Sequence, residues 1–280
     1  MRFLQLLFTA LVLFYSCQVK EKPAKQIEGP AGYDWGNPVK INLPEELEEI
    51  SGIVYDPATA SIIALNDEEG ILYSFKTEKP TALSDSRFHK GADFEELISV
   101  APYWYALKSN GNLNRITNAF TDGVTSETHP MKLPGKNEFE AMLHDSPGNR
   151  ILIFCKVCNK TPTAEPDVYS FNLATSSFDS VPAFQIRLNA EQKKELPPAQ
   201  QLQISAAAIH PITGKWYLVC SVSGVLIITD NKGVCQEIFN LKKKTFKQPE
   251  GICFAPNGDM YISNEAKAGI ANLLVYKYQN

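Results

Sequence analysis

One short pattern returns five times along the chain, and it limits the possible architectures more than any other feature. The first copy runs Ser51-Gly52-Ile53-Val54-Tyr55-Asp56-Pro57, then Ile62-Ile63-Ala64-Leu65-Asn66-Asp67, then Ile71-Leu72-Tyr73-Ser74-Phe75. The last runs Glu250-Gly251-Ile252-Cys253-Phe254-Ala255-Pro256, then Met260-Tyr261-Ile262-Ser263-Asn264-Glu265, then Leu273-Leu274-Val275-Tyr276. Between them, Glu95, Glu140 and Ser205 each open a shorter copy, so the anchors at 51, 95, 140, 205 and 250 are spaced 44, 45, 65 and 45 residues apart. Short β-branched and aromatic runs recurring at about 45 residues are the mark of propeller blades.

The expected fold is therefore all-β, a single β-propeller with five blades by anchor count; a sixth would have to lack the anchor pattern. The long interval contains the polar stretch Leu188 to Pro198 and reads as a surface insertion of roughly 20 residues. An open sheet edge invites aggregation, and Val39 to Leu43, ahead of the first anchor, can supply the strand that closes the ring.

Ahead of the repeats the chain reads as an address. Arg2, an apolar run from Leu4 to Phe14, and Tyr15-Ser16-Cys17 form a short h-region followed by a small residue and a cysteine. That run is too short to span about 30 Å of hydrocarbon, so residues 1–16 are expected to be a lipoprotein signal peptide and Cys17 the lipidated residue. Residues 17–32 are polar and poor in large apolar side chains, which suits a flexible tether; residues 33–280 form the propeller. The implied location is the envelope of a Gram-negative bacterium, periplasmic or at the outer membrane, with the membrane as partner through the lipid.

With 27 Lys and Arg against 31 Asp and Glu, the net charge of −4 gives no field to attract nucleic acid. A monomer is expected. Nothing matches G-x-S-x-G, H-E-x-x-H, a P-loop or G-x-G-x-x-G. His89, His129, His144 and His210 are scattered, and His144 and His210 fall where turns or surface are expected. Glu45 to Glu49 reads as a solvated entry loop and Lys242-Lys243-Lys244 as a solvated turn. Setting Cys17 aside leaves Cys155, Cys158, Cys220, Cys235 and Cys253, an odd number. Cys155 and Cys158 have C-x-x-C spacing but continue a strand-like run, where i and i+3 face opposite sides; the expectation is small buried hydrophobes or one incidental disulfide.

At ISGIVYDP, GADFEELI, FEAM, ISAAAIHPITGKWY and QPEGICFAPNGDMYISNE the chain resembles the SdiA-regulated domain family, the YjiK-like propellers, over roughly residues 45 to 278. The resemblance implies a secreted or membrane-anchored β-propeller. Glu96, Ala141 and Ala206 depart from the glycine common after the anchor.

Innermost propeller strands border the central channel, so Ser51, Glu95, Glu140, Ser205 and Glu250 are expected to form a polar ring at one mouth. Asn66, Asp67, Asn264 and Glu265 could add oxygens, with Ser221 alongside, while Lys108 and Lys156 occupy equivalent positions on second strands. Three converging carboxylates demand a counter-charge. Either a cation such as Ca²⁺ sits on Glu95, Glu140 and Glu250, or the lysines pair with them. The expected function is binding of a small molecule or protein at the channel mouth, without catalysis; the competing class is a Ca²⁺-dependent hydrolase or lactonase of the gluconolactonase-like propeller type.

Overall fold

The computed structural model describes residues 29–158, 163–196, 201–266 and 269–279; Cys17 and the signal segment lie outside them. After a lone strand, β1 (Val39–Asn42), the chain builds five antiparallel sheets in order. The first holds β2 (Ile50–Asp56), β3 (Ser61–Asn66), β4 (Ile71–Lys76) and β5 (Lys79–Arg87). The second holds β6 (Phe94–Val100), β7 (Tyr103–Lys108), β8 (Leu113–Thr117) and β9 (Thr125–His129). The third holds β10 (Glu138–Asp145), β11 (Arg150–Val157), β12 (Asp167–Asn172), β13 (Ser177–Phe178) and β14 (Phe184–Gln185). After a short helix, α1 (Ala190–Glu195), the fourth holds β15 (Ala206–Ile209), β16 (Trp216–Cys220), β17 (Val225–Thr229) and β18 (Cys235–Asn240). The fifth holds β19 (Pro249–Phe254), β20 (Met260–Asn264) and β21 (Asn272–Tyr276).

The five sheets are the five blades of a β-propeller. The fifth lacks an outer strand of its own until β1 joins β21, with Val39 opposite Val275 and Asn42 opposite Asn272. That pairing ties the two ends of the propeller together and removes the free edge. Strands β2, β6, β10, β15 and β19 neighbour one another in turn and line the bore.

Both faces of each blade are covered, which is why the sequence shows apolar runs where a half-exposed sheet would alternate. In β3, Ile62 and Ala64 join the core shared with the fifth blade, while Ile63 and Leu65 join the core shared with the second. In β16, Trp216, Leu218 and Cys220 face the third blade, and Tyr217 and Val219 face the fifth. Each interface thus carries its own apolar cluster.

The long interval is more than a surface loop. Its polar residues form α1, whose Asn189 and Gln192 make a reciprocal N-terminal cap, and Gln192 Nε2 donates to Cys235 O at 3.1 Å. Around the helix, Leu188, Leu196, Leu202 and Ile204 sink into the core between blades three and four. The insertion pattern hid this because four apolar residues spread over 17 positions have no strand or helix period. Among the described residues no helix is long and apolar enough to cross a membrane.

Candidate functional site

Local backbone irregularity at the anchors of four of the five blades shapes the ring. In β6 the pairing passes from Phe94–Lys108 to Glu96–Leu107 and skips Glu95; in β19 it passes from Pro249–Asn264 to Gly251–Ser263 and skips Glu250. In β10 it passes from Phe139–Cys155 to Ala141–Phe154 and skips Glu140, while Lys156 is skipped on β11. In β2, Ser51 and Gly52 both lie between paired Ile50 and Ile53. In the fourth blade Ser205 precedes β15, and its N–H donates to Val219 O, opposite Ala206. A bulge leaves one residue out of the ladder and re-aims its side chain; Glu140 meets Lys156 of its own blade, and Ser205 Oγ donates to Val219 O of its own blade at 3.3 Å.

Glycine after the anchor has a steric cause at two positions. A Cβ on Gly52 would stand 2.4 Å from Leu97 N and from Glu96 Oε1; one on Gly251 would stand 2.5 Å from Ser51 O. Innermost strands of adjacent blades approach there too closely for a side chain.

The three anchor carboxylates share one ammonium group. Lys156 Nζ is ion-paired with Glu140 Oε1. Burial pushes the Glu95 carboxyl up to about 9, reinforced by Glu140 and Asp93 and opposed by Lys156. Burial likewise pushes Glu250 up to about 8, with Glu140 adding and Lys156 opposing. Glu140 is raised by burial against the pull of Lys156. Burial alone would lower Lys156, but Glu140, Glu250 and Glu95 outweigh it and hold the amine charged. The second carboxylate oxygen of Glu140, Oε2, is buried with no hydrogen-bond partner. Next to the ring a cavity of about 500 Å³ opens between blades two and three, lined by Asp93, Glu95, Ser109, Asn110, Glu138 and Glu140 among others.

Several expected members of the ring do other work. Lys108 turns from the carboxylates to His89: its Nζ lies 3.2 Å from His89 Nε2 and 5.2 Å from the centre of the Phe94 ring. An ammonium can only donate, so His89 Nε2 accepts; burial and Lys108 both lower the pKa of the ring. Asn66 Oδ1 accepts from the backbone of Glu68 and Glu69 and closes a turn; Asn264 Nδ2 donates to Asn272 Oδ1. Ser221 N donates to Ser205 Oγ, which itself donates to Pro249 O, so the Ser205 hydroxyl holds backbone of two blades. Asp67 belongs to the acidic end: burial, Glu49 and Glu68 push it up to about 6, and its Oδ1 is buried without a partner. Glu265 accepts from Gln248 Nε2 and adds negative potential at Glu250.

Ca²⁺ does not fit Glu95, Glu140 and Glu250 as placed. Among the described residues no group of three or more His, Cys, Asp or Glu side chains is arranged to hold a metal ion. Ca²⁺ takes six to eight oxygens, and Glu140 Oε1 is already engaged by Lys156.

The residue that sequence reasoning undervalued is Glu96. Only 1% exposed, its side chain reaches from the second blade into the bore: Oε1 accepts from Leu97 N at 3.0 Å and Oε2 from Ala207 N of the fourth blade at 3.3 Å. Burial raises its carboxyl well above the ordinary range, against the pull of those two N–H donors. On the far side a second cavity, of about 320 Å³, is lined by all five innermost strands, through Ile53, Leu97, Leu143, Ala207 and Ile252 among others. The two cavities share no lining residue, and one is acidic while the other is apolar. The signal in the sequence was a glutamate where the repeat puts glycine.

His210 also departs from expectation. It is fully buried, packed against Tyr217, Phe254 and Tyr278, with Tyr33 edge-on at 6.1 Å. Its Nδ1 accepts from Ile212 N and Thr213 N, so the turn role holds while the surface position does not. The C-x-x-C pair forms a disulfide, Cys155–Cys158, because β11 ends at Val157 and the chain leaves the extended path that would separate the sulfurs. Cys220, Cys235 and Cys253 are free and buried.

No protein-family model matches the sequence, and comparison with curated proteins finds no match. Solved structures do resemble it. A glutaminyl cyclase from Myxococcus xanthus superposes with a TM-score of 0.58 at 11% identity, over 86% of this chain and 94% of that one. A gluconolactonase from Xanthomonas campestris gives 0.52 at 12%, over 87% and 80%, and a luciferin-regenerating enzyme 0.51 at 11%, over 86% and 95%. At such identities the likeness is one of fold, and one fold hosts unrelated chemistries.

Proposed function

We propose that the protein is a membrane-anchored, extracytoplasmic propeller of the SdiA-regulated type that binds a ligand bearing a protonated amine or guanidinium in its acidic channel mouth, without transforming it. The observation that carries this reading is the charge balance of the mouth. Glu95, Glu140 and Glu250 arrive from three blades, one lysine serves them all, and Glu140 Oε2 is buried with no partner. A planar or tetrahedral N–H donor satisfies such an oxygen at modest size, whereas a hard cation needs six to eight oxygens. Binding is favoured over turnover because the nearby base, His89, is engaged by Lys108 and Gly91, and Lys156 is engaged by Glu140. The anchoring and envelope location rest on the lipobox-like Tyr15-Ser16-Cys17 and the polar tether after it.

A thermal-shift series tests the reading: agmatine, a compact guanidinium–ammonium dication, against citrate and CaCl₂. The expected result is a rise in Tm with agmatine that Glu140→Gln abolishes, since a ligand that binds only the folded state raises stability by mass action. A rise with Ca²⁺ and none with agmatine would favour the Ca²⁺-dependent hydrolase class and overturn this one.

A further inference from the structure

The disulfide stands directly beside the ion pair of the mouth. Cys155 and Cys158 have Cα atoms 6.0 Å apart, whereas an extended strand would separate i and i+3 by about 10 Å, so the bond fixes a turn at the end of β11. Lys156 lies inside that closed loop, and its ammonium is the one that pairs with Glu140 and moderates Glu95 and Glu250. The two sulfurs are differently placed. Cys155 is 3% exposed, paired with Phe139 and packed in the core between blades two and three; Cys158 is partly exposed at its edge. The remaining thiols among the described residues are shielded: Cys220, Cys235 and Cys253 are buried, and burial raises each of them, Cys235 to about 12.

We propose that Cys155–Cys158 is a thiol–disulfide exchange site for an external dithiol, and that its state sets the charge available in the mouth by fixing or freeing Lys156. A thiolate of the dithiol attacks Sγ of Cys158, the more accessible sulfur; the bond to Cys155 breaks and Cys155 leaves as thiolate, which takes up a proton. The second thiol of the dithiol then attacks its own sulfur in the mixed disulfide and releases Cys158. Two electrons pass from the dithiol to the pair, the dithiol becomes a disulfide, and its two protons end on Cys155 and Cys158. With the cross-link open, only the irregular pairing around Glu138 and Phe139 holds the backbone of Lys156, and the ammonium no longer has one fixed position on Glu140. Glu140 is then freer to take an incoming cation. The last step rests on the binding function proposed above; the exchange step does not.

The test treats the folded, oxidised chain with dithiothreitol, alkylates it, and locates the modified cysteines by mass spectrometry; the Glu140 carboxyl is then titrated by ¹³C NMR in both redox forms. The expected result is rapid modification of Cys155 and Cys158 alone and a change in the Glu140 titration on reduction. Agmatine is expected to bind the reduced chain about tenfold more tightly, as it does the double variant Cys155→Ser, Cys158→Ser. A bond that resists dithiothreitol until the chain unfolds, or a Glu140 titration identical in both forms, overturns the proposal. If Glu140 responds to reduction but agmatine binds neither form, the exchange site stands and the binding function falls.

Discussion

Replacing Glu96 removes the side chain that spans the bore, and the cost can be worked from its contacts. Glu96→Ala leaves the N–H groups of Leu97 and Ala207 without their acceptors, 3.0 and 3.3 Å away, inside a region where the native side chain is 1% exposed. A buried donor stripped of its partner costs about 1–3 kcal/mol. Water entering the vacated bore can recover part of that, since the site offers polar partners. A net loss of about 2–4 kcal/mol follows, which for a domain of this size corresponds to a fall in Tm of roughly 4–16 °C. Glu96→Gln keeps one acceptor but turns an NH₂ toward the other donor, so its loss should be smaller, about 1–2 kcal/mol. Urea denaturation followed by tryptophan fluorescence measures both, with an unchanged m-value showing that stability alone has moved. If Glu96→Ala proves as stable as wild type, or more stable than Glu96→Gln, the two-donor bridge across the channel is not holding the blades.

Stability should also depend on pH through the mouth. Glu95 and Glu250 are raised to about 9 and about 8 in the fold, so between the ordinary glutamate pKa near 4.5 and those values the folded chain binds protons that the unfolded chain has released. Their contribution is fully present below 4.5 and is lost as pH rises to 8–9, with a slope of up to about 1.4 kcal/mol per pH unit for each group. Chemical denaturation at pH 6 and pH 9 should show this loss, and Glu95→Gln with Glu250→Gln should flatten it; equal slopes in the variant would dismiss the assignment. Gly251→Ala drives a Cβ to 2.5 Å from Ser51 O, a backbone atom that cannot swing aside, and should cost about 1–3 kcal/mol in the same assay. A chain lacking residues up to Asn42 leaves β21 unpaired along Asn272 to Val275 and should self-associate, visible as a concentration-dependent shift in sedimentation; a monomer as stable as the full chain would show that the closing strand is dispensable.

The blade count and the closing strand were legible because each blade repeats the same order of apolar strand, turn and apolar strand, and the anchors kept their spacing. Of the expected ring, Glu95, Glu140, Glu250 and Lys156 come within electrostatic reach of one another. What the pattern could not carry was direction. Lys108 and Lys156 hold equivalent positions, yet one turns to His89 and the other to Glu140, a choice made by the different bulge in β10 and by the neighbouring loop. Glu96 was visible as a departure from glycine, but its reach to Ala207 joins blades that are not neighbours in sequence order, and no local period records such a contact. The disulfide stayed one of two open alternatives for a related reason: facing rules hold inside a strand, and Cys158 lies one residue past the end of β11.

The central claim is that desolvation and mutual repulsion keep part of the carboxylate ring protonated at neutral pH, ready to ionise when a cation enters. The most direct measurement is a ¹³C NMR titration of the glutamate side-chain carboxyls between pH 4 and 10, with Glu95→Gln and Glu250→Gln as assignments. The account predicts two glutamates titrating near 9 and 8, one lost in each variant. Finding both Glu95 and Glu250 ionised by pH 6 would contradict it.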